Sequence, residues 1–249
     1  MAAPLYDRIG AGYAARRQPD PRIARAILEA LGDAASVVNL GAGAGSYEPA
    51  DRPVVAVEPS FGMIGQRAAG SAPVVGAVVE RLPFRDGAFD AALAVLTVHH
   101  WADRAAGLRE MRRVARRRAV VLTWDPAHGD GFWLTAEYLP EILRLDRPRF
   151  PPLDDLARAL GPSVVRPLAI PHDCADGFLG AFWRRPHAYL DPRVRQAMSG
   201  FAQLDPSLVD QRIAALADDL GSGRWRERHA ALLGRTELDL GYRLVVAER

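Results

Sequence analysis

The stretch VVNLGAGAGS (Val37–Ser46) decides the fold. Val37–Leu40 reads as a short buried strand that runs straight into a turn holding Gly41, Gly43 and Gly45. Glycine lets a backbone turn sharply there, and lets a ligand approach with no Cβ in the way. Taken alone, such a loop is equally a tight strand-to-helix turn. The spacing also misses the dinucleotide fingerprint G-x-G-x-x-G, whose third glycine would fall on Ser46.

The flanking segments supply the rhythm. Upstream, Pro21–Leu31 carries Ile23, Ile27, Leu28 and Leu31 on one helical face and ends at Gly32. Downstream, VVAVEPS (Val54–Ser60) predicts a second strand, followed by a helix around Met63–Ala68. A third strand is expected at Val74–Val79 and a fourth at Phe89–Val98. A helix at Arg104–Val114 leads to a fifth strand at Ala119–Asp125. Continuous apolar strands alternating with helices indicate a mostly parallel α/β sheet covered on both faces.

The second half has a different texture. Phe132–Pro152 is aromatic and punctuated by proline, Pro152–Gly161 reads as a helix, and Val164–Ile170 as a strand. Asp176 to about Leu233 is mostly helical, and Tyr242–Glu248 closes the chain as a seventh strand. The expected organisation is one Rossmann-like domain. Residues 1–125 would form its binding core and 126–249 the rest, with a helical cap from about 126–150 and 176–235.

Composition excludes several chemistries. All 32 basic residues are arginine, so Schiff-base chemistry and a P-loop lysine are ruled out. Cys174 is the only cysteine, which leaves no intramolecular disulfide and no cysteine-rich metal site. A formal charge of +2 gives no reason to expect nucleic acid as a partner. No apolar run approaches the roughly 20 residues of a membrane span, and the N-terminus lacks a secretory pattern. A cytoplasmic protein without membrane association is the expectation; the oligomeric state is not legible.

Glu58 adds to the glycine loop. It ends the second strand, where a carboxylate can accept hydrogen bonds from ribose hydroxyls. Together with VERLPFRDGAFDAALAVLTVHHW (Val79–Trp101, with the LPF-x-D-x-x-FD pattern at Leu82–Asp90) and LREMRRVARRRAVVLTW (Leu108–Trp124), these motifs carry a resemblance. Over roughly Tyr6–Asp125 the chain resembles the UbiE-like, methyltransferase type 11 group of class I S-adenosylmethionine-dependent methyltransferases.

The resemblance implies S-adenosylmethionine as cofactor and methyl transfer as activity. It implies that Gly41, Ala42 and Gly43 border the methionine and adenosine parts and that Glu58 holds the ribose. Pro59 and Met63 would flank adenine, the Val79 backbone would reach its edge, and Leu96 would lie near the methionine end. The N-terminal segment looks like the family's lid helix. Tyr13 would cover the cofactor there, and Arg17 would either pair with its carboxylate or stay a solvated surface arginine. Three positions depart from the pattern: Asn39 replaces the usual aspartate, Val78 replaces an adenine-binding aspartate, and Ala115–Arg118 replaces a proline-glycine-glycine turn.

At the reacting end the candidates are His99 and His100, directly after the fourth strand, as a general base or as a structural turn. His172 with Asp173, and Asp125 with His128, are further polar pairs, without the close ligand spacing of a metal site. Phe132, Trp133, Tyr138, Phe178, Phe182 and Trp183 suggest an apolar, aromatic-lined pocket for a small-molecule acceptor. Arg184 and Arg185 either meet an acidic group on it or end a solvated helix. A specialised metabolite is preferred over a quinone, since nothing points to a membrane. The run RRVARRR (Arg112–Arg118) keeps an RNA or protein substrate as an alternative, and a binder of the cofactor that does other chemistry is another.

Overall fold

The computed structural model describes residues 17–249. Helix α1 (Pro21–Leu31) begins where the Asp20 carboxylate accepts from the Arg22 N–H at 2.9 Å, with proline in the first turn. It ends at Gly32, whose φ of +55° suits a residue without a side chain. Ile23, Ile27, Ala30 and Leu31 are buried against the sheet.

That sheet has seven strands in the order β3-β2-β1-β4-β5-β9-β6. Strands β1 (Val37–Leu40), β2 (Val54–Val57), β3 (Val74–Val75), β4 (Phe89–Val95) and β5 (Ala115–Trp124) run parallel. Helix α2 (Phe61–Ile64) follows β2, and α3 (Arg104–Val114) connects β4 to β5. Because β1 lies between β2 and β4, the chain direction switches at its carboxyl end, which opens a crevice there.

Alternation along the strands feeds two cores. Val120 and Leu122 of β5 pack with α1 and the second half of the chain, whereas Ala119 and Val121 pack with Leu108 and Met111 of α3.

Beyond β5 come a π turn at Leu134–Tyr138 and helices α4 (Pro140–Asp146) and α5 (Leu153–Leu160). Strand β6 (Ser163–Pro167) forms the sheet's edge. Strand β7 (Ile170–Pro171) pairs antiparallel with β8 (Glu237–Leu238), and this ribbon closes the base of the helical insertion. The insertion holds α6 (Pro192–Arg195), α7 (Pro206–Gly221), α8 (Arg224–Arg228) and α9 (Ala230–Leu233) between 3-10 turns. Strand β9 (Tyr242–Glu248) then slots antiparallel between β5 and β6.

Several boundaries differ from the sequence reading, each for a local reason. The segment Ala115–Arg118 is strand, not turn, because its arginines find acids nearby. Arg116 pairs with Asp90 at 2.7 Å, Arg117 with Asp33 at 2.8 Å and Arg118 with Glu248 at 2.6 Å. The third strand keeps only two paired residues, and the helix after β2 stops at Ile64. The stretch expected as one strand at Val164–Ile170 divides into β6 and β7, which belong to different sheets.

Leu31 is fully buried between α1 and the sheet. Leu31→Ala is expected to lower unfolding free energy by about 2–5 kcal/mol in equilibrium denaturation, with the denaturant dependence unchanged.

Candidate functional site

The crevice at the carboxyl ends of β1 and β4 is built by backbone geometry. Gly41, Gly43 and Gly45 have φ of +65°, +55° and +96°. The Ala42 N–H continues the β1–β2 ladder onto the Val57 carbonyl at 3.0 Å, so the loop leaves the sheet without a gap. A Cβ on Gly41 would stand 2.1 Å from Thr97 Oγ1, so Thr97, two residues beyond β4, leaves room only for glycine.

Glu58 fastens this loop to the end of β2. One carboxylate oxygen accepts from the Gly43 N–H at 2.8 Å and the other from the Ser60 N–H at 2.9 Å. A carboxylate oxygen that accepts one hydrogen bond has the lone pairs to accept a second. Ser60 caps α2 by accepting from the Met63 N–H, which seats Met63 beneath Gly43.

A buried network unforeseen in the sequence braces the loop from behind. Arg67 donates to both oxygens of Glu48 at 2.8 Å and to the Gly43 carbonyl at 3.3 Å. The Asn39 side-chain amide donates to Glu48 at 3.4 Å. An aspartate at position 39 would set two carboxylates against each other, so asparagine fits this chain. No short-range spacing announces the trio, because its members lie on β1, the loop and the segment after α2.

The cavity has a volume of about 420 Å³. Arg17, Gly41, Ala42, Gly43, Glu58, Pro59, Met63, Val79, Leu96, His99 and His100 all line it, so the fold gathers these candidates at one place. Tyr13 and the lid helix lie outside the described residues. Val78 is half exposed on the rim. Arg17 donates to buried Asp176 through Nε at 2.7 Å and Nη2 at 3.3 Å. That partner comes from the cap and was not anticipated.

A second, smaller cavity of about 100 Å³ adjoins the first, and Arg17, Leu96 and His99 line both. Leu96 has φ of +50°, a left-handed conformation costing a residue with a Cβ roughly 1–3 kcal/mol. Its N–H is held by the Leu122 carbonyl at 2.8 Å, which fixes it on the shared wall.

His99 stacks on Phe150 at 3.9 Å, and its Nδ1 is buried without a hydrogen-bond partner among the described residues. Burial, then the nearby His100, Arg149 and Arg104, push its pKa well below the usual imidazole range. Burial and Arg149 push His100 down to about 3. Both rings are neutral at physiological pH, able to accept a hydrogen bond but weakly basic.

The aromatic candidates separate. Phe132 and Phe178 line the second cavity, joined by Trp124, Phe150 and Tyr242. Trp133 and Trp183 instead build the cap's own core: Trp133 Nε1 donates to the Trp183 carbonyl at 2.8 Å, and Trp183 Nε1 to the Ile170 carbonyl at 2.9 Å. The Tyr138 hydroxyl donates to Asp219, and Phe182 lies under Arg185 at 4.7 Å.

The polar pairs are spent on structure. His172 contacts Arg184 at 2.6 Å, Asp173 holds Arg22, and His128 bridges Asp125 and Arg243. Arg184 and Arg185 donate to backbone carbonyls. Among the described residues no group of three or more His, Cys, Asp or Glu side chains is placed to hold a metal.

The first cavity fits a nucleoside-bearing cofactor on two observations: the cradle that a Cβ would fill at Gly41, and a carboxylate fixed beneath the glycine loop. Gly41→Ala is therefore expected to weaken S-adenosylhomocysteine binding at least about tenfold, from the clash and the left-handed backbone together. Calorimetric titration checks this, and Thr97→Ala in the same chain should restore part of the loss.

Known proteins match this architecture. A family model described as a methyltransferase domain matches residues 38–123. A solved structure from Anabaena variabilis, described as a methyltransferase from an antibiotic biosynthesis pathway, is 32% identical. That alignment covers 93% of this chain and 98% of the neighbour, with a TM-score of 0.86. A demethylmenaquinone methyltransferase of Mycolicibacterium vanbaalenii is 42% identical over 87 residues, which is 35% of each chain. Another, from Mycolicibacterium gilvum, is 38% identical over 117 residues, 46% of this chain and 48% of the relative. The chain thus spans less than half the length of these two curated relatives. With the fold, the glycine cradle and near full-length similarity to a methyltransferase in agreement, the chain belongs to the class I S-adenosylmethionine-dependent methyltransferases.

Proposed function

We propose that this enzyme methylates a small, apolar acceptor held in the second cavity, with the cofactor in the first. The observation that carries the reading is their meeting at a wall made by Arg17, Leu96 and His99. Bound in the first cavity, S-adenosylmethionine supplies a methyl group already activated as a sulfonium. The chain's own contribution is then to hold, orient and desolvate.

Roles follow for the candidate residues. Glu58 holds the ribose hydroxyls, while Gly41, Ala42 and Gly43 let the cofactor lie against the backbone. Pro59, Met63 and Val79 form the apolar bed for adenine, and Leu96 separates the two cavities. Arg17, with its charge shared by Asp176, faces the cofactor's amino-acid end. His99 presents a neutral imidazole on the wall beside the acceptor, and His100 supports it by ring contact at 3.8 Å.

The acceptor's size and character come from the second cavity. A dry cavity of about 150 Å³ holds benzene, so one of about 100 Å³ that adjoins the first cavity takes a group no larger than a single compact ring. Its lining from Trp124, Phe132, Phe150 and Phe178 lies outside the 38–123 span that the family model matches. A specialised metabolite suits this divergent half, and the antibiotic-pathway description of the Anabaena variabilis neighbour points the same way. The demethylmenaquinone named for the curated relatives is less suited, because those matches cover less than half of each relative.

An RNA or protein substrate is disfavoured by the arginine run. Arg113, Arg116, Arg117 and Arg118 each pair with an acid of this chain, at the end of β5 remote from the crevice. No helix among the described residues is long and apolar enough to cross a membrane. A cytoplasmic location is consistent with that and is part of the proposal.

Calorimetric titration with S-adenosylhomocysteine tests the cofactor site. Dissociation constants of roughly micromolar order, abolished by Glu58→Ala and with no heat from NADH, are expected. Unchanged binding by Glu58→Ala would remove the ribose assignment.

A further inference from the structure

Asp146 is an anomaly in this fold. It is the last residue of α4 and lines the second cavity, yet its carboxylate makes no hydrogen bond or ion pair among the described residues. Its main-chain carbonyl accepts from the Arg149 and Phe150 N–H groups at 2.9 and 3.0 Å. The other acids of the cap that are not exposed are paired, among them Glu141 with Arg212, Asp219 with Tyr138 and Arg224, and Asp176 with Arg17.

Folding gains nothing from a carboxylate here. The carboxyl end of a helix carries partial negative charge, so an acid in the last turn is disfavoured by about 0.3–1 kcal/mol. Partial burial without a donor adds a desolvation cost. Burial pushes the Asp146 carboxyl up to about 6, with Arg149 pulling against that shift. A costly, unpartnered polar group inside an aromatic cavity is what a binding site requires.

We propose that Asp146 selects the acceptor, its carboxylate accepting a hydrogen bond from a neutral hydroxyl on an apolar, ring-sized molecule. The inference rests on reading the second cavity as the acceptor site. The charges around it choose the ligand class. The carboxylate repels an anionic acceptor. Arg17 on the shared wall and Arg149, close enough to Asp146 to pull on its carboxyl, oppose an ammonium group. Trp124, Phe132 and Phe178 receive the apolar body, which leaves a hydroxyl as the polar group that fits.

The ionised carboxylate is the better acceptor, so binding should weaken as pH falls through its titration. The other groups facing this cavity stay out of that window. Arginine as a residue type does not lose its proton in proteins, which covers Arg17 on the wall and Arg149 beside Asp146; His99 is already neutral, and burial pushes the Tyr242 hydroxyl upward.

The test uses the full chain saturated with S-adenosylhomocysteine and three probes: p-cresol, its methyl ether 4-methylanisole, and benzylamine. Calorimetry reads the affinities. In the wild type p-cresol should bind tightest. Asp146→Ala should weaken p-cresol about tenfold, the size expected for a hydrogen bond to a charged group, and leave 4-methylanisole unchanged. The weakening of p-cresol binding from neutral pH to about pH 5 should disappear in the isosteric Asp146→Asn. Both variants should melt no lower than the wild type and keep S-adenosylhomocysteine affinity. Binding of p-cresol that neither variant alters, or tighter binding of benzylamine, would overturn the role of Asp146 alone. Failure of p-cresol and 4-methylanisole alike to bind the wild type would overturn the acceptor site itself, and this inference with it.

Discussion

A carboxylate with no exposed surface has to be paired, and the pairing of Asp176 organises this molecule. Its oxygens accept from Arg17, from the Tyr47 hydroxyl at 2.9 Å and from the Gly177 N–H at 2.6 Å. Burial and the Asp176 charge raise the Tyr47 pKa, so that hydroxyl stays protonated and donates. The same oxygen accepts from the Asp20 N–H at 3.3 Å, just where α1 begins. Three distant segments are thereby joined: the lead into α1, the end of the glycine loop and the root of the cap. The second cavity exists because this joint draws the cap against the carboxyl edge of the sheet.

What the sequence made legible was local, and what it hid was assembled from afar. Helices α1 and α3 and strand β9 have the expected bounds, because an amphipathic face with a cap, or a continuous apolar run, is written within one segment. The glycine loop and Glu58 were readable for the same reason, since two neighbouring strands place them. The arginine-rich start of β5 was not, because its strand character depends on Asp33, Asp90 and Glu248. Trp133 and Trp183 looked like pocket residues by composition. Their indole N–H groups need buried carbonyls, which draws them into the core of the cap. Nothing in the sequence around Asp146 sets it apart, and only the position of α4 against Tyr242 and Phe178 gives it meaning.

This division mirrors the chemistry. Residues 38–123 carry the elements that hold a shared cofactor, and there the family model matches. Beyond the shared wall of Arg17, Leu96 and His99, the second cavity draws on residues 124–150, 178–200 and 240–242, so its lining can change without disturbing the glycine cradle. Leu96 is the hinge between the halves. Its left-handed backbone is held by a hydrogen bond to β5, and its side chain belongs to both cavities.

A crystal structure with S-adenosylhomocysteine tests the central claim most directly. The account predicts the ribose hydroxyls on Glu58, the adenine beside Met63 and Val79, and the thioether sulfur beside Leu96, facing the cavity lined by Phe132, Phe178 and Asp146. A ligand lying elsewhere, or one whose sulfur is turned away from that second cavity, would contradict it.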